Sequence, residues 1–158
     1  MQYEMRRHER EMPPDDALKI LESGEYGVLS MTGPDAMPYG VPISFVYHNG
    51  LIYMHCAKTG RKIDYLRYSP LVSFSVVEDV EAVYDGSFST YYKSVIVSGS
   101  AELIGDEDEK REALTLLAGK YLPAHIEKAE NAISKSMSGV CVIRVTPEKI
   151  TGKSKPRT

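Results

Sequence analysis

The chain has 158 residues, 42% of them hydrophobic and 26% charged, which suits one compact domain with a substantial core. The formal net charge of −3 gives no support to nucleic-acid binding, and no apolar run approaches the roughly 20 residues of a membrane helix. The first residues are polar and lack the apolar core of a signal peptide, which predicts a cytoplasmic location. Cys56 and Cys141 form no CxxC and are expected as reduced thiols.

Residues 1–12 read as a polar arm, solvated or packed on a partner subunit. Pro13, Pro14, Asp15 and Asp16 start a helix that carries Ala17, Leu18, Ile20 and Leu21 and stops at Ser23 and Gly24. Residues 26–32 form a strand and Gly33, Pro34 and Asp35 a turn. Residues 38–48 read as one longer strand, with Asn49 and Gly50 as the hairpin turn into a strand over 51–55. A short helix over 61–68 precedes a strand over 71–77. Residues 78–90, acidic and containing Gly86, are expected as an irregular loop. A strand over 92–104 follows, with Gly99 as its bulge. Asp106 and Glu109 have the spacing of a capping box, and Leu114, Leu117 and Tyr121 give the following helix its apolar stripe. Pro123 ends it. Residues 124–137 read as helical and 139–146 as the last strand. The domain is expected over 13–150 and a basic tail over 151–158. Roughly six strands, joined by hairpins with helices inserted between some, disfavour a parallel βαβ fold and predict a mainly β protein, an antiparallel barrel with peripheral helices.

The most informative stretch runs from Tyr53 to Pro70. Leu51, Tyr53 and His55 alternate with Ile52 and Met54 along a strand. Ile63 and Leu66 share the buried face of the helix that follows, and Pro70 stops it. Its first turn carries Arg61 and Lys62, with Lys58 and Thr59 just upstream. Cations oppose the macrodipole at a helix start, but they suit a site where an anion rests on free N–H groups. The same residues also fit an ordinary solvated turn, and the chain has no P-loop.

The order of these pieces resembles the FMN-binding split β-barrel family related to pyridoxamine 5′-phosphate oxidase, and within it the nitroimidazole-resistance proteins. The likeness rests on five stretches: residues 5–10 (MRRHER), 39–45 (YGVPISF), 53–55 with 60–64 (YMH, GRKID), 69–74 (SPLVSF) and 92–101 (YKSVIVSGSA). It implies a six-stranded antiparallel split barrel that binds FMN at the interface of a homodimer. It implies that Arg61 and Lys62 hold the phosphate, helped by Lys58, Thr59 and Gly60. It implies that the flavin ring lies along Tyr39, Gly40, Val41, Pro42, Ile43 and Ser44, and that Lys93 or Ser94 adds a contact. Arg61 suits bidentate binding of a phosphate, Lys62 a point charge. Pro42 removes a backbone donor, and Gly40 admits close approach of a ligand, although Pro at a strand edge and Gly at a bulge also occur without one.

His55 ends its strand just before the cationic turn. The resemblance implies that it faces the flavin region, as a polar contact or a proton donor; without a ligand it reads as a strand-end imidazole bonded to a carbonyl. A Cys56–His55 nucleophile is rejected, because adjacent strand residues point to opposite faces. No His forms a metal-spaced cluster. The chain has no Trp and no match to the Arg-rich substrate elements of pyridoxamine 5′-phosphate oxidase, so vitamin B6 oxidation is not expected. The reading is a flavin-dependent reductase of small, electron-poor molecules such as nitroimidazoles, without a GxGxxG nicotinamide fingerprint. Its rivals are a flavin carrier or sensor without turnover, and a split barrel that binds haem or a deazaflavin.

Overall fold

Asn49 and Gly50 make the tight turn their sequence predicts, with φ of 49° and 80°, the positive values that a two-residue hairpin needs. That hairpin joins Val46–His48 (β3) to Leu51–Ala57 (β4). The computed structural model describes residues 4–84, 86 and 88–155. Among them the other strands are Gly27–Thr32 (β1), Pro38–Ile43 (β2), Leu71–Tyr84 (β5), Phe88–Leu103 (β6) and Val140–Lys155 (β7). The α-helices are Pro14–Ser23 (α1), Arg61–Tyr68 (α2), Glu107–Tyr121 (α3) and Ile126–Ser136 (α4).

All ladders are antiparallel, in the order β2-β1-β5-β6-β7-β4-β3. The first and last strands of that order are joined in the chain by Ser44 and Phe45 alone. Such a link reaches at most about 11 Å, so the two edges lie side by side and the sheet is rolled into a barrel. No ladder among the described residues joins β2 to β3 or β4. The barrel is therefore split along that seam. At its head the Tyr121 hydroxyl does the work of a missing strand. It accepts the Phe45 N–H at 2.9 Å and donates to the Glu25 carbonyl at 2.6 Å.

The barrel interior is filled by Leu29, Phe45, Ile52, Met54, Phe74, Val76, Val95, Val97 and Ile143, with Ala17, Ile20 and Leu21 of α1 added to it. Each fully buried side chain of this size stabilises the fold by roughly 1.5–3 kcal/mol before entropy is counted. A second core lies outside the barrel wall, where α3 and α4 press Leu114, Leu117, Ile133 and Met137 onto Val46, Tyr53 and Val142. The alternation of β4 divides it between the two: Ile52 and Met54 inward, Tyr53 outward. Asp106 caps α3 by accepting the Glu109 N–H at 2.8 Å. The Glu109 carboxylate does not return to the cap; it takes the Tyr53 hydroxyl at 3.0 Å and Arg144 at 2.7 Å, which fastens α3 to the wall.

Several expectations are corrected. The strand over 38–48 breaks at Ser44 and Phe45, which is why there are seven strands rather than six. Residues 78–90 are no irregular loop: β5 and β6 continue as a long hairpin past a bulge between Glu78 and Glu81, where Asp79 has φ 52°. Asp85 and Ser87 at its tip lie outside the described residues. The basic tail is strand as far as Lys155, because β6 extends far enough to pair with it; residues 156–158 lie outside the described ones. Nor is the N-terminal arm free. After a 3₁₀ turn at His8–Arg10, Glu11 bridges to Lys153 and Met12 is buried against the chain's own β7. Residues 124–137 divide into a 3₁₀ turn, Pro123–His125, and α4.

Candidate functional site

The seam brings together most of the residues singled out in the sequence. Gly33 N–H donates to the Met37 carbonyl at 3.4 Å, so the hydrogen-bonded pairs of the β1–β2 ladder fall on Met31↔Tyr39, Leu29↔Val41 and Gly27↔Ile43. The residues between them, Pro38, Gly40 and Pro42, turn their main chain to the open edge. Prolines have no N–H, so Gly40 carries the one N–H that β2 offers there. Side chains alternate as well: Tyr39, Val41 and Ile43 pack inward, while Gly40 and Pro42 are exposed and Ser44 is half-buried. Only part of the predicted ring strand thus presents a side-chain face to a ligand.

Across the seam stand the end of β4, with His55 exposed, and the turn Lys58-Thr59-Gly60, exposed throughout. Gly60 has φ 122°, a left-handed value that favours glycine, and a Cβ built there meets nothing within 4 Å. Its carbonyl takes the Ile63 N–H at 2.9 Å and the Asp64 N–H at 3.2 Å. The Arg61 and Lys62 amides have no backbone partner among the described residues. Two free amides, two flanking cations and open space above Gly60 make a turn that can hold a dianion.

Arg61 ties this turn to the edge strand. Its guanidinium lies 4.5 Å from the Tyr39 ring centroid and 4.8 Å from that of Tyr65. Its Nη2 donates to the Tyr65 hydroxyl at 2.7 Å, and that hydroxyl donates to Asp35 at 3.3 Å. Tyr65 and Asp35 were missed in the sequence. The i, i+4 spacing of Arg61 and Tyr65 is a signal for one of them; Asp35 comes from a distant turn and leaves none.

His55 sits beside Lys62. Desolvation by the surrounding chain and, second, the Lys62 charge hold its pKa below the ordinary imidazole value. Both effects favour the neutral imidazole. The sheet's outer face continues in register from Gly40 across β1, β5 and β6. Gly40, Ser30, Ser73 and Ser98 form one cross-strand row, and Pro42, Val28, Ser75 and Ile96 the next, all exposed or half-buried.

Lys93 and Ser94 are not part of this group within one chain. Lys93 pairs with Asp79 at 2.8 Å and lines a cavity of about 370 Å³ with Asp16, Lys19 and Ser23. Its row lies five residues along β5 from that of Gly40, about 17 Å at strand spacing. Ser94 donates weakly to the Lys153 carbonyl at 3.4 Å. No group of three or more His, Cys, Asp or Glu among the described residues is placed to hold a metal, and none of the described helices is long and apolar enough to cross a membrane.

A mainly β, antiparallel split barrel with peripheral helices is the class these features define. The chain belongs to the pyridoxamine 5′-phosphate oxidase family, whose family model matches residues 13–154. No curated protein matches it. Among solved structures, a proposed 5-nitroimidazole antibiotic resistance protein from Bacteroides thetaiotaomicron is 24% identical, with a TM-score of 0.77 over 91% of this chain and 86% of that one. The flavocytochrome Anf3 from Azotobacter vinelandii is 19% identical, with a TM-score of 0.84 over 98% of this chain and 73% of that one. An FAD and haem binding protein from Mycobacterium smegmatis is 17% identical, with a TM-score of 0.80 over 94% and 74%. At these identities the likeness is one of fold.

Proposed function

We propose that the seam binds a flavin, FMN in the first instance, and that the protein is a flavin-dependent reductase of small, flat, electron-poor molecules such as nitroimidazoles. The observation that carries this reading is Arg61. It links a cationic helix start with free amides to the one edge strand whose only outward N–H belongs to Gly40. Arg61, Lys62 and the turn from Lys58 to Gly60 hold the phosphate. Gly40 donates its N–H to a ring acceptor, with Pro42 and Ser44 beside it.

A bound flavin supplies the electron pairs for reduction. The chain's own part is binding, orientation and proton supply. Tyr65 and Asp35 fix the Arg61 fork, so that less rotamer entropy is lost when an anion is gripped. His55, its pKa held below the ordinary imidazole value, gives a bound acceptor a hydrogen bond and becomes a stronger proton donor as pH falls. The functional unit is a homodimer. One barrel covers one side of a flat ligand, and a twofold partner supplies the other wall. Lys93 or Ser94 enters the site, on this reading, from the partner's copy of the hairpin.

The likeness to a flavocytochrome and to an FAD and haem binding protein favours a second reading, in which the barrel holds FAD or haem. An absorption spectrum of the purified protein, with chromatography of the released cofactor, separates them. Flavin bands and FMN support the proposal; a Soret band or released FAD overturns it. Steady-state reduction of a nitroaromatic panel, with chemical and nicotinamide donors, then tests turnover. A flavin-loaded protein that reduces none of the panel is a carrier or sensor.

A further inference from the structure

We propose that Cys56 and Cys141 are a modification site: a thiol pair that closes to a reversible disulfide when a hydroperoxide is the oxidant. The two are directly opposite each other on β4 and β7, and both are free and half-buried. Directly opposed residues of an antiparallel pair point to the same face. Cys56 shares the face of Met54, two residues away, and packs on the barrel core, so both side chains lie on the inner face of the wall.

The ladder fixes their spacing. Ile104 N–H donates to the Val142 carbonyl at 2.9 Å, so Val142 turns its main chain to the β6 side. Cys141, one residue earlier, turns its own to β4. Cys56↔Cys141 is therefore a hydrogen-bonded pair, with Cα atoms about 5.5 Å apart, inside the disulfide range of about 4.4–6.8 Å. The Cβ atoms must close by about 1–2 Å to reach bonding distance. The pair stands at the right place for that, because only Ala57↔Val140 lies beyond it before the ladder ends.

The two sulfurs also sense each other. Burial pushes the Cys56 thiol up, the Lys62 charge pulls it down, and a thiolate at Cys141 raises it again. The Lys62 charge offsets part of the burial penalty on a Cys56 thiolate, the species that attacks the peroxide. Its sulfur bonds to the terminal peroxide oxygen, the O–O bond breaks, and the remaining oxygen leaves as an alcohol, or as water from hydrogen peroxide. Cys141 then attacks the Cys56 sulfenic acid. The S–S bond forms, the S–O bond breaks, and the hydroxide leaves as water with the Cys141 proton. Two thiols and one hydroperoxide give one disulfide, one alcohol and one water. The thiols lose the two electrons that the O–O bond gains. The resting thiols stay reduced, as the sequence predicts, and no bound flavin is required.

The full chain is treated with hydrogen peroxide, quenched, digested without reductant and mapped by mass spectrometry. The expected result is one cross-linked species joining the Cys56 and Cys141 peptides with the loss of two hydrogens, on chains that run as monomers on a non-reducing gel. Both titratable thiols disappear together and return with dithiothreitol. In Cys141→Ser, Cys56 is expected to accumulate as a sulfenic acid trapped by dimedone. Unchanged thiols, sulfinic acid at either cysteine without a bridge, or a bridge found only between chains would each overturn the proposal. The mapping on the unmodified sequence needs no variant to fold.

Discussion

Replacing Tyr121 with Phe removes one oxygen from the head of the seam and leaves the ring in place. That oxygen accepts the Phe45 N–H at 2.9 Å and donates to the Glu25 carbonyl at 2.6 Å, with the Phe45 carbonyl 3.1 Å away. Phe45 is fully buried, so its amide has little access to water in exchange. A buried donor left without a partner costs about 1–3 kcal/mol; the Glu25 carbonyl, nearer the surface, adds less. Tyr121→Phe is therefore expected to lose about 2 kcal/mol. For a 158-residue chain this corresponds to a Tm lower by about 4–8 °C. Urea unfolding with an unchanged m value measures the first number, and a thermal scan the second. Hydrogen exchange at the Phe45 amide should rise with them. A variant within about 0.5 kcal/mol of the parent, or an equally slow Phe45 amide, would refute the claim that a hydroxyl replaces the missing ladder at the seam.

Gly99→Ala should destabilise by about 3 kcal/mol, at the upper end for overpacking, because its Cβ would lie 2.2 Å from the Thr146 carbonyl oxygen at the β6–β7 bulge; denaturant titration reads it, and a neutral result would contradict the register. His55 has a folded pKa below its unfolded value, so its contribution to stability is complete above about pH 6.5 and is lost as pH falls through the lower folded value. If it donates protons, reductase turnover should rise as pH drops through that same range, and His55→Ala should flatten the rise while keeping flavin occupancy; an unchanged profile removes His55 from proton supply. Sedimentation of the flavin-loaded protein at low micromolar concentration should give a dimer, and a monomer that keeps its flavin would rule out the shared site.

The local signals in the sequence carried well. Asn49 and Gly50, Pro14, Asp106 and Gly99 each mark a turn, a helix start, a cap or a bulge by their own backbone chemistry, and each stands where it was expected. The expectations that failed depended on distant partners. Residues 78–84 and 151–155 have the polar composition of loop and tail, but a long β6 offers both a partner, and ladder bonds override composition. The break at Ser44 and Phe45 is met by a hydroxyl 76 residues away. The site shows the same division. Of the candidate site, Arg61 and Lys62 were legible in the sequence as charge at a helix start, and Gly40 as a glycine near Pro42 in a strand. Asp35 and the row of Ser30, Ser73 and Ser98 were not, because only the ladder register places them there.

The central claim is that the turn from Lys58 to Lys62 grips a flavin phosphate, and a comparison of FMN with riboflavin tests it most directly. The two ligands differ only in that group. Calorimetric or fluorescence titration of the apoprotein should show FMN bound more tightly than riboflavin. The phosphate should contribute about 1.5–3 kcal/mol for each charged hydrogen bond, or about tenfold to more than a hundredfold in affinity. In the Arg61→Ala, Lys62→Ala double variant the two ligands should converge toward the riboflavin value. Equal affinity in the parent protein, or an FMN preference that survives the double variant, would contradict the account.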